Sequence, residues 1–477
     1  MSIKKFLPAF LLLLIFPGQA SNAQTVEEAT ALFSTGKYSE AKTAFDAILK
    51  KTPNNVPAYF YYGAACYELN DWQSAEKFLK IAASKRNTEA QRYLGELYFL
   101  TYRFDESIAA YKAYVDANKK NESIGNKFNK KIEKATLGKS MLNRVEDVKI
   151  IDSLIVDKTN FFSHYKLSKS TGKLISADDF FKNGGESSDA TLYQTEKGNR
   201  IIYSKQTESG RLDIFMQDKL FEGYGNEKNL GENINSSFNE NYPFQLNDGI
   251  TLYFASTAES SLGGYDIFVT RYNSDSDSYL MPENIGMPFN SPFNDYMMVI
   301  DEVNNVGWFV SDRYQPDGKV IIYVFIPNEG KKILRDEDTG YLINRARITG
   351  IAKTWEENDD FTKLLEKIYN INSTQQTDDE FRFVVADDLI YTKLDNFKSN
   401  AARNLFVQAQ KAEDNYNKLS AHLEKLRVEY ASSSASKKQQ LSSEILQLEK
   451  EEIRLQPEIN AAYSKVRDEE VRFIMKK

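Results

Sequence analysis

Histidine and cysteine are scarce in this sequence of 477 residues, which contains two histidines and one cysteine. With Cys66 as its only cysteine, the chain has no internal disulfide and must rely on packing. We expect Cys66 to be a buried small hydrophobe rather than a reactive thiol. His164 and His422 fall in different predicted domains. A histidine-rich metal cluster and a Ser-His-Asp site are therefore excluded, whereas carboxylate-only chemistry stays open.

The sequence also lacks a strong charge of one sign and a second long apolar run. Its formal net charge is -7 with both signs mixed, so it has no basic field that would attract nucleic acid. Two lysines precede the apolar run 6–16, and small residues follow up to Ala23. Because this run is too short to span a bilayer, we interpret residues 1–23 as a secretory signal peptide. We expect cleavage after Ala23, no lipid-anchor cysteine at that site, and no transmembrane segment in the mature chain.

A helical repeat begins at Gln24 and extends to about residue 121, with periods of about 34 and then about 32 residues. Small residues recur at two places of each unit, where they let two helices approach closely, and an aromatic residue recurs at a third. The recurring positions are Ala29, Gly36, Tyr38, Ala41 and Phe45 in the first unit, Gly63, Asn70, Trp72, Ala75 and Leu79 in the second, and Gly95, Arg103, Phe104, Ser107 and Tyr111 in the third. Arg103 lies one place off the strict register.

These spacings, with Pro53 closing the first unit, resemble the tetratricopeptide repeat. The resemblance implies an α-solenoid of three helix pairs over residues 24–143, capped by a polar helix over about 125–142. In that family the first helices of the units bind an extended peptide or a partner helix. The implied partner-binding residues are Phe60, Tyr67, Glu68, Glu89, Arg92, Glu96 and Phe99, with Ala64 beside them. Two alternatives stay open: the rings pack between repeats, and the charged residues form a solvated i, i+3/i+4 set.

From residue 148 the pattern changes to the alternation typical of strands. The stretch 230–240 returns about 55 residues later as 285–295, and 250–256 returns as 305–311. Asn247-Asp248-Gly249 lies between two apolar runs and predicts a tight hairpin. A repeat of short β-runs predicts radial blades, because one four-stranded sheet cannot bury both faces alone.

The run 246–256, followed by Gly-Gly-Tyr-Asp-Ile-Phe at 263–268, resembles the PD40 repeat, a WD40-like repeat of the TolB type. The resemblance implies an all-β propeller, which we assign to residues 145–396. Residues 148–328 hold about four units. We expect later β-runs at 341–354 and 381–394, separated by a helix over 360–370, to complete a ring of about five blades and so remove free sheet edges.

Four acidic residues could supply the opposed carboxylates of a propeller glycosidase: Asp213, Asp266, Glu240 and Asp295. The first two recur at one blade position and the last two at another, so we interpret all four as serving the blade itself. The stretch 273–277 has the oxygen spacing of a calcium loop but lacks the glycine and glutamate that such a loop needs. We therefore predict no catalytic residue, no metal site and no cofactor.

After Phe397 the sequence has a seven-residue apolar pattern typical of paired helices. The first stripe contains Leu405, Ala409, Ala412, Tyr416, Leu419, Leu423, Leu426 and Tyr430, and the second contains Leu441, Ile445, Leu448, Leu455, Ile459, Ala462 and Val466. Glu452 interrupts the second stripe. The serine-rich run 431–436 between them predicts an antiparallel helical hairpin or coiled coil over residues 397–477. In the alternative, the stripe recruits another chain.

The order of signal peptide, helical repeat, propeller and helical tail resembles envelope proteins of Bacteroidota-like bacteria. Some of these are linked to outer-membrane assembly, gliding or type IX secretion, and related members carry an OmpA-like peptidoglycan-binding domain. The resemblance implies a periplasmic location, peripheral to the outer membrane, and envelope proteins as partners. Since no OmpA-like domain is present in these 477 residues, we expect a separate anchored partner. Our leading hypothesis is a non-enzymatic scaffold; the alternatives are a glycan- or peptidoglycan-binding propeller and a propeller hydrolase.

Overall fold

The computed structural model describes residues 25–181, 190–220, 223–336, 338–369, 383–386, 389–391 and 393–475. The predicted signal peptide, residues 1–23, lies outside them. Two compact units divide the chain. The first contains the residues up to Thr101 together with Asp105–Ile132, and the second contains Tyr102–Phe104 and Glu133–Lys477. The fold class is confirmed: a helical repeat is followed by a strand-rich region of antiparallel sheets and by C-terminal helices.

Three helix pairs and one longer helix form the front of the chain. They are α1 (Val26–Ser34), α2 (Tyr38–Lys51), α3 (Val56–Glu68), α4 (Trp72–Ser84), α5 (Thr88–Leu100), α6 (Phe104–Ala117) and α7 (Glu122–Leu142). The side chains of Thr25, Asn55, Asp71 and Asn87 each accept a hydrogen bond from the backbone N–H three residues later. These caps satisfy donors that the first helical turn leaves unpaired, and they set where each helix begins.

Small residues of the repeat allow neighbouring helices to touch, as expected from their spacing. A Cβ atom placed on Gly63 would lie 2.9 Å from the Leu79 side chain, and one placed on Gly95 would lie 2.5 Å from the ring of Tyr111. Real Cβ atoms do not approach other atoms so closely, so the packing of these helix pairs depends on glycine.

The turn inside each helix pair contains a residue of positive φ, and this corrects the register of the third unit. Gly36 has φ 77°, Asn70 has φ 58° and Tyr102 has φ 62°. Arg103, which we aligned with Gly36 and Asn70, is therefore one residue too late, and Tyr102 takes the turn position. A bulky residue at positive φ is uncommon, which is why the sequence alone did not indicate it.

Three antiparallel sheets of four or five strands follow, and we name them blades I, II and III. Their strands are β1 (Lys149–Asp157), β2 (Lys173–Ser176), β3 (Thr191–Gln194), β4 (Arg200–Gln206), β5 (Leu212–Leu220), β6 (Gly223–Asn229), β7 (Glu240–Gln245), β8 (Thr251–Ser256), β9 (Asp266–Asn273), β10 (Ser278–Tyr279), β11 (Glu283–Asn284), β12 (Asp295–Asp301), β13 (Val306–Ser311) and β14 (Lys319–Ile326). Blade I has the order β2-β3-β4-β5-β6 and blade II the order β10-β9-β8-β7, with β11 also on β9. Blade III has the order β1-β14-β13-β12. A short helix, α8 (Ala177–Phe181), follows β2.

The three blades share one apolar core, to which each contributes buried rings such as Tyr193, Phe244 and Trp308. Strand β7 contacts β3, β4 and β5 of blade I, and β12 contacts β7, β8 and β9 of blade II. Each later blade thus packs its first repeat strand against the blade before it, which is how stacked sheets bury the faces that a single sheet would expose.

The two stretches that look alike in sequence make the same hydrogen bonds. Asn235 accepts from the backbone N–H of Ile214 at 2.7 Å and donates to its carbonyl oxygen at 2.9 Å. Asn290 does the same to Ile267, at 2.8 Å in both directions. Each asparagine therefore satisfies both backbone groups of one residue in the third repeat strand of the preceding blade.

The expected count of about five blades is corrected to three among the described residues. The late run 341–354, expected as strand, forms a helix, α9 (Thr339–Arg347), and then a 3-10 turn. Leu342, Arg345 and Ala346 are buried at helical spacing, so the period of this segment is three to four residues rather than two. The helix expected over 360–370 is present as α10 (Thr362–Tyr369).

The free sheet edge that these late runs were expected to cover is covered instead by β1, the first strand of the strand-rich region. Strand β1 pairs with β14 from Lys149 opposite Ile326 to Asp157 opposite Lys319. The described part of the run 381–394 contains β15 (Phe383–Ala386) and β16 (Leu389–Tyr391), which form a separate two-stranded hairpin. This hairpin packs on the C-terminal helices.

Two long helices, α11 (Asn400–Ser432) and α12 (Ala435–Met475), end the chain. Tyr463 donates to Glu413 and Arg427 pairs with Glu449, so the two helices run in opposite directions. The predicted antiparallel hairpin is confirmed, with its turn inside the serine-rich run. Within the part of the chain that the structure describes, no helix combines the length and apolarity needed to cross a membrane.

Candidate functional site

The candidate site is the face formed by the first helices of the helical repeat, within the first unit. Helices α1, α3 and α5 follow one another here, since α3 contacts both α1 and α5. Asn55 caps α3 and Asn87 caps α5, so both helices begin at equivalent places. This common start brings the predicted residues of the second and third repeat units onto neighbouring helices.

An aromatic cluster forms the floor of this face. Tyr93 contacts Phe60 edge-on with ring centroids 5.7 Å apart, and it contacts Tyr67 with centroids 5.3 Å apart. Phe60 is only 8% exposed and Tyr67 is partly buried. Phe60 therefore packs between repeats, which is the alternative left open for the rings. Ala64 beside it is fully buried.

Tyr93 is the central ring of this cluster, and the sequence interpretation missed it. A signal for it was present. Tyr61 and Tyr93 both lie two residues before the glycine that the second and third repeat units share, Gly63 and Gly95. Tyr61 contacts Phe60 with centroids 4.9 Å apart, so the recurring tyrosine belongs to the packing of both first helices.

Charged side chains lie around this aromatic floor and are tied to it. The Arg92 guanidinium lies over the Tyr93 ring, 4.2 Å from its centroid, and its Nε donates to Glu89 at 2.9 Å. The hydroxyl of Tyr93 points to Glu68 at 3.5 Å, and that of Tyr114 donates to the other Glu89 oxygen at 2.8 Å. Cation–π and charge-assisted contacts of this kind hold long side chains in one orientation. The face is therefore a preformed charged surface.

Glu96 and Phe99 continue the face toward the end of α5. Glu96 accepts a hydrogen bond from Lys131 of α7 at 2.6 Å, in a pair whose side chains are about one-fifth to one-third exposed. Phe99 is partly buried. Lys131 was not anticipated, because no repeat position marks the polar helix α7. The structure brings Glu68, Glu89, Arg92 and Glu96 to the surface and leaves Phe60 beneath it.

Burial and neighbouring charges shift the pKa values of several groups at this face, among them Glu68 and Tyr67. Burial raises the pKa of Glu68 above its usual value, although the Tyr93 hydroxyl and the Arg92 charge oppose this shift. Burial and the charges of Glu96 and Glu68 raise the pKa of Tyr67, so its hydroxyl stays protonated at neutral pH. The face thus presents neutral hydroxyl groups beside carboxylates and one guanidinium.

The part of the chain that matches a known family includes first helices with their small residues and capped starts. Residues 26–88 match the tetratricopeptide repeat family. This match covers the first two helix pairs and the start of α5. No curated protein matches the chain.

The four acidic residues considered for glycosidase chemistry lie inside the blades with hydrogen-bonded partners. Glu240 accepts from the hydroxyls of Ser236 and Ser256 at 2.6 and 2.8 Å. Asp213 pairs with Arg211 at 3.0 Å, and the partners of Asp266 and Asp295 are described below. Carboxylates that bind the loops of their own blade contribute to its structure, in keeping with their recurrence at matched positions.

Asp277, one of the two carboxylates in the stretch 273–277, also has partners within the protein. Asp277 accepts from the hydroxyl of Tyr272 and pairs with Lys228 at 3.0 Å. Across the described ranges, no group of three or more histidine, cysteine, aspartate or glutamate side chains is placed to hold a metal ion. Cys66 is buried, and burial raises the pKa of its thiol to about 11. A thiol of that pKa is almost wholly protonated at neutral pH and weakly nucleophilic.

Proposed function

We propose that this protein is a non-enzymatic scaffold that binds partner proteins through the first-helix face of its helical repeat. One observation carries the proposal: Arg92, Glu89 and Glu68 lie exposed or half-exposed around an aromatic floor on a tetratricopeptide repeat. Surfaces that combine rigid aromatic groups with a held arginine are typical of binding hot spots. Repeats of this family imply a protein partner.

The partner class that we propose is the envelope proteins of a Bacteroidota-like bacterium, met in the periplasm or at the inner side of the outer membrane. Support comes from the N-terminal sequence pattern of a secretory signal and from the resemblance of 246–268 to the PD40 repeat. The three stacked blades add a second broad surface to the helical one. Outer-membrane assembly or secretion is the process that this domain order favours.

The test is capture of envelope proteins by the full mature chain, compared between wild type and Arg92→Glu. Reversing this charge breaks the contact with Glu89 and removes the cation from the Tyr93 ring. We expect one captured partner to bind at least about tenfold more weakly, which is the scale of a hot-spot residue. Binding is measured by interferometry on the captured partner, once it has been identified by mass spectrometry.

The matched control is Lys112→Glu, the same charge reversal at an exposed position on the second helix α6. It should leave binding within about twofold of wild type, because a charge outside an interface changes affinity little. Circular dichroism of both variants checks that the helices persist. If both variants bind every captured partner as wild type does, the first-helix face is not the binding surface.

A further inference from the structure

A cavity with charged walls lies in the second unit, among blade I, blade II and the helical hairpin. Its volume is about 320 Å³, and its lining includes Arg200, Asp218, Tyr279, Tyr416 and Glu452. Cavities of about 300 Å³ and more are large enough to hold a small ligand or a single side chain. Nothing in the scaffold function requires such a space.

The basic residues that line this cavity each have a carboxylate partner. Arg200 pairs with Asp218 at 2.9 Å and Lys228 with Asp277 at 3.0 Å. Lys219 pairs with Glu424 at 2.9 Å. Their positive charges are therefore compensated within the protein, and the cavity offers an incoming anion no uncompensated cation.

Among the acidic residues of the lining that pair with a basic residue, Glu452 has the longest ion pair. It is 6% exposed, and its Oε1 is buried with no hydrogen-bond partner. Its other oxygen lies 3.8 Å from Arg427, but Arg427 already pairs with the buried Glu449 at 2.8 Å. One guanidinium thus serves two buried carboxylates, and a buried carboxylate with an unused oxygen is costly unless a donor reaches it.

Tyrosine rings form part of the lining, and Tyr416 lies near Glu452. Tyr416 is buried, and burial together with the Glu452 charge raises its pKa to about 12. Tyr279 is also buried. A carboxylate beside tyrosine rings is a chemically suitable environment for an ammonium or guanidinium group, since the ring faces and the carboxylate both attract a cation.

We propose that this cavity binds an organic cation, an ammonium or guanidinium group on a short aliphatic chain, with Glu452 as its counter-ion. The inference goes beyond the scaffold function, because the cavity belongs to the second unit and shares no residue with the first-helix face. The cation balances the second carboxylate beside Arg427.

Calorimetric titration of the full mature chain with agmatine and cadaverine tests the proposal, with 1-pentanol as the neutral comparison. We expect saturable one-to-one binding of at least one cation and none of the alcohol. Glu452→Gln should weaken the binding at least about tenfold, the scale of a lost charge-assisted hydrogen bond. A lysine-containing peptide and an arginine-containing peptide, titrated in parallel, distinguish a partner side chain from a free amine as the source of the cation.

The matched control is Glu451→Gln, which removes the same charge at the neighbouring position. Glu451 is exposed and pairs with Arg454 on the helix surface, so cation binding should stay within about twofold of wild type. Three results would overturn the proposal: no saturable binding of either cation to wild type, equal binding of the alcohol, or equal binding by Glu452→Gln. The comparison with the alcohol uses wild type alone and does not depend on how the variant folds.

Discussion

The helical repeat and the blades both bury the contacts between repeated units, but they do so with different chemistry. In the helical repeat the closest contacts are between carbon atoms, as where Gly95 meets the Tyr111 ring, although Ser107 also donates to the Gly95 carbonyl oxygen at 2.8 Å. In the blades the shared apolar core is joined by buried polar contacts. Asn290, Asp295 and Arg313 are all almost fully buried at the junction of blades II and III.

This difference determines how each region responds to change. A substitution at an apolar contact lowers the stability in proportion to the misfit that it creates, and neighbouring side chains can move to reduce that misfit. A buried polar group needs every partner, because removing one leaves the others unsatisfied in a medium of low dielectric constant. We therefore expect single substitutions at the blade junction to have larger effects than single substitutions in the helical repeat.

The largest effect is expected from Arg313→Met. The Arg313 guanidinium pairs with Asp295 at 2.6 Å and donates to the carbonyl oxygens of Pro288 and Phe289. Its loss leaves the Asp295 charge buried without compensation, which should lower the free energy of unfolding of the blades by about 3–5 kcal/mol. Hydrogen–deuterium exchange resolved by region should show faster exchange in blade III and unchanged exchange in the helical repeat.

Two further variants separate charge from shape at this junction. Arg313→Met combined with Asp295→Asn removes both charges and should recover part of the lost stability. Lys319→Met breaks the exposed pair with Asp157 in the same blade and should cost less than about 1 kcal/mol. Equal losses for Lys319→Met and Arg313→Met would contradict the view that the buried pair dominates.

A smaller effect is expected from Gly95→Ala in the helical repeat. The new Cβ atom would lie 2.5 Å from the Tyr111 ring, so the ring must move, at a cost of about 1–3 kcal/mol. Gly125→Ala is the matched control, because nothing lies within 4 Å of its Cβ position. That change should stabilise α7 by about 0.5–1 kcal/mol. Regional exchange measures both, and a Gly95→Ala protein as stable as wild type would show that the helix contact is looser than the structure indicates.

The same difference explains how much of each region could be predicted from the sequence. The helical repeat was predictable because its signal residues, such as Gly63 and Trp72, have counterparts at the same positions of the neighbouring repeats. The blade count was not, because the strand that completes blade III comes from residues 149–157 and pairs with residues 319–326. A pairing between segments so distant in sequence leaves no periodic trace.

Polar residues at buried positions were the other feature that the sequence did not predict. Glu452 reads as a break in an apolar stripe, yet it is buried near Arg427 of the opposite helix. The predicted binding residues lie on neighbouring first helices, but the burial of Phe60 depends on Tyr93 of the next unit. A single sequence shows which residues share a face, and it does not show which of them a neighbouring helix covers.

The last contrast between the two regions concerns the pH dependence of the blades. Asp266 is buried and accepts from the N–H groups of Leu262 and Gly263 and from the Asn284 amide. Burial, followed by the charge of Asp295, raises the pKa of Asp266 from 3.8 to about 7 despite these donors. The folded protein therefore binds this proton more tightly than the unfolded chain does. The resulting stabilisation is complete below pH about 4 and is lost as the pH rises through about 7.

Asp266→Asn removes this titration, since an amide carries no charge at any pH. We expect the melting temperature of the variant, measured relative to wild type, to rise between pH 5 and pH about 7.5. Gly95→Ala, which changes no charge, should keep a constant offset from wild type over the same range. Parallel pH profiles for wild type and Asp266→Asn would mean that the ionised Asp266 is as well accommodated at the blade junction as its protonated form. The polar contacts of the blades would then be no more sensitive to pH than the carbon contacts of the helices.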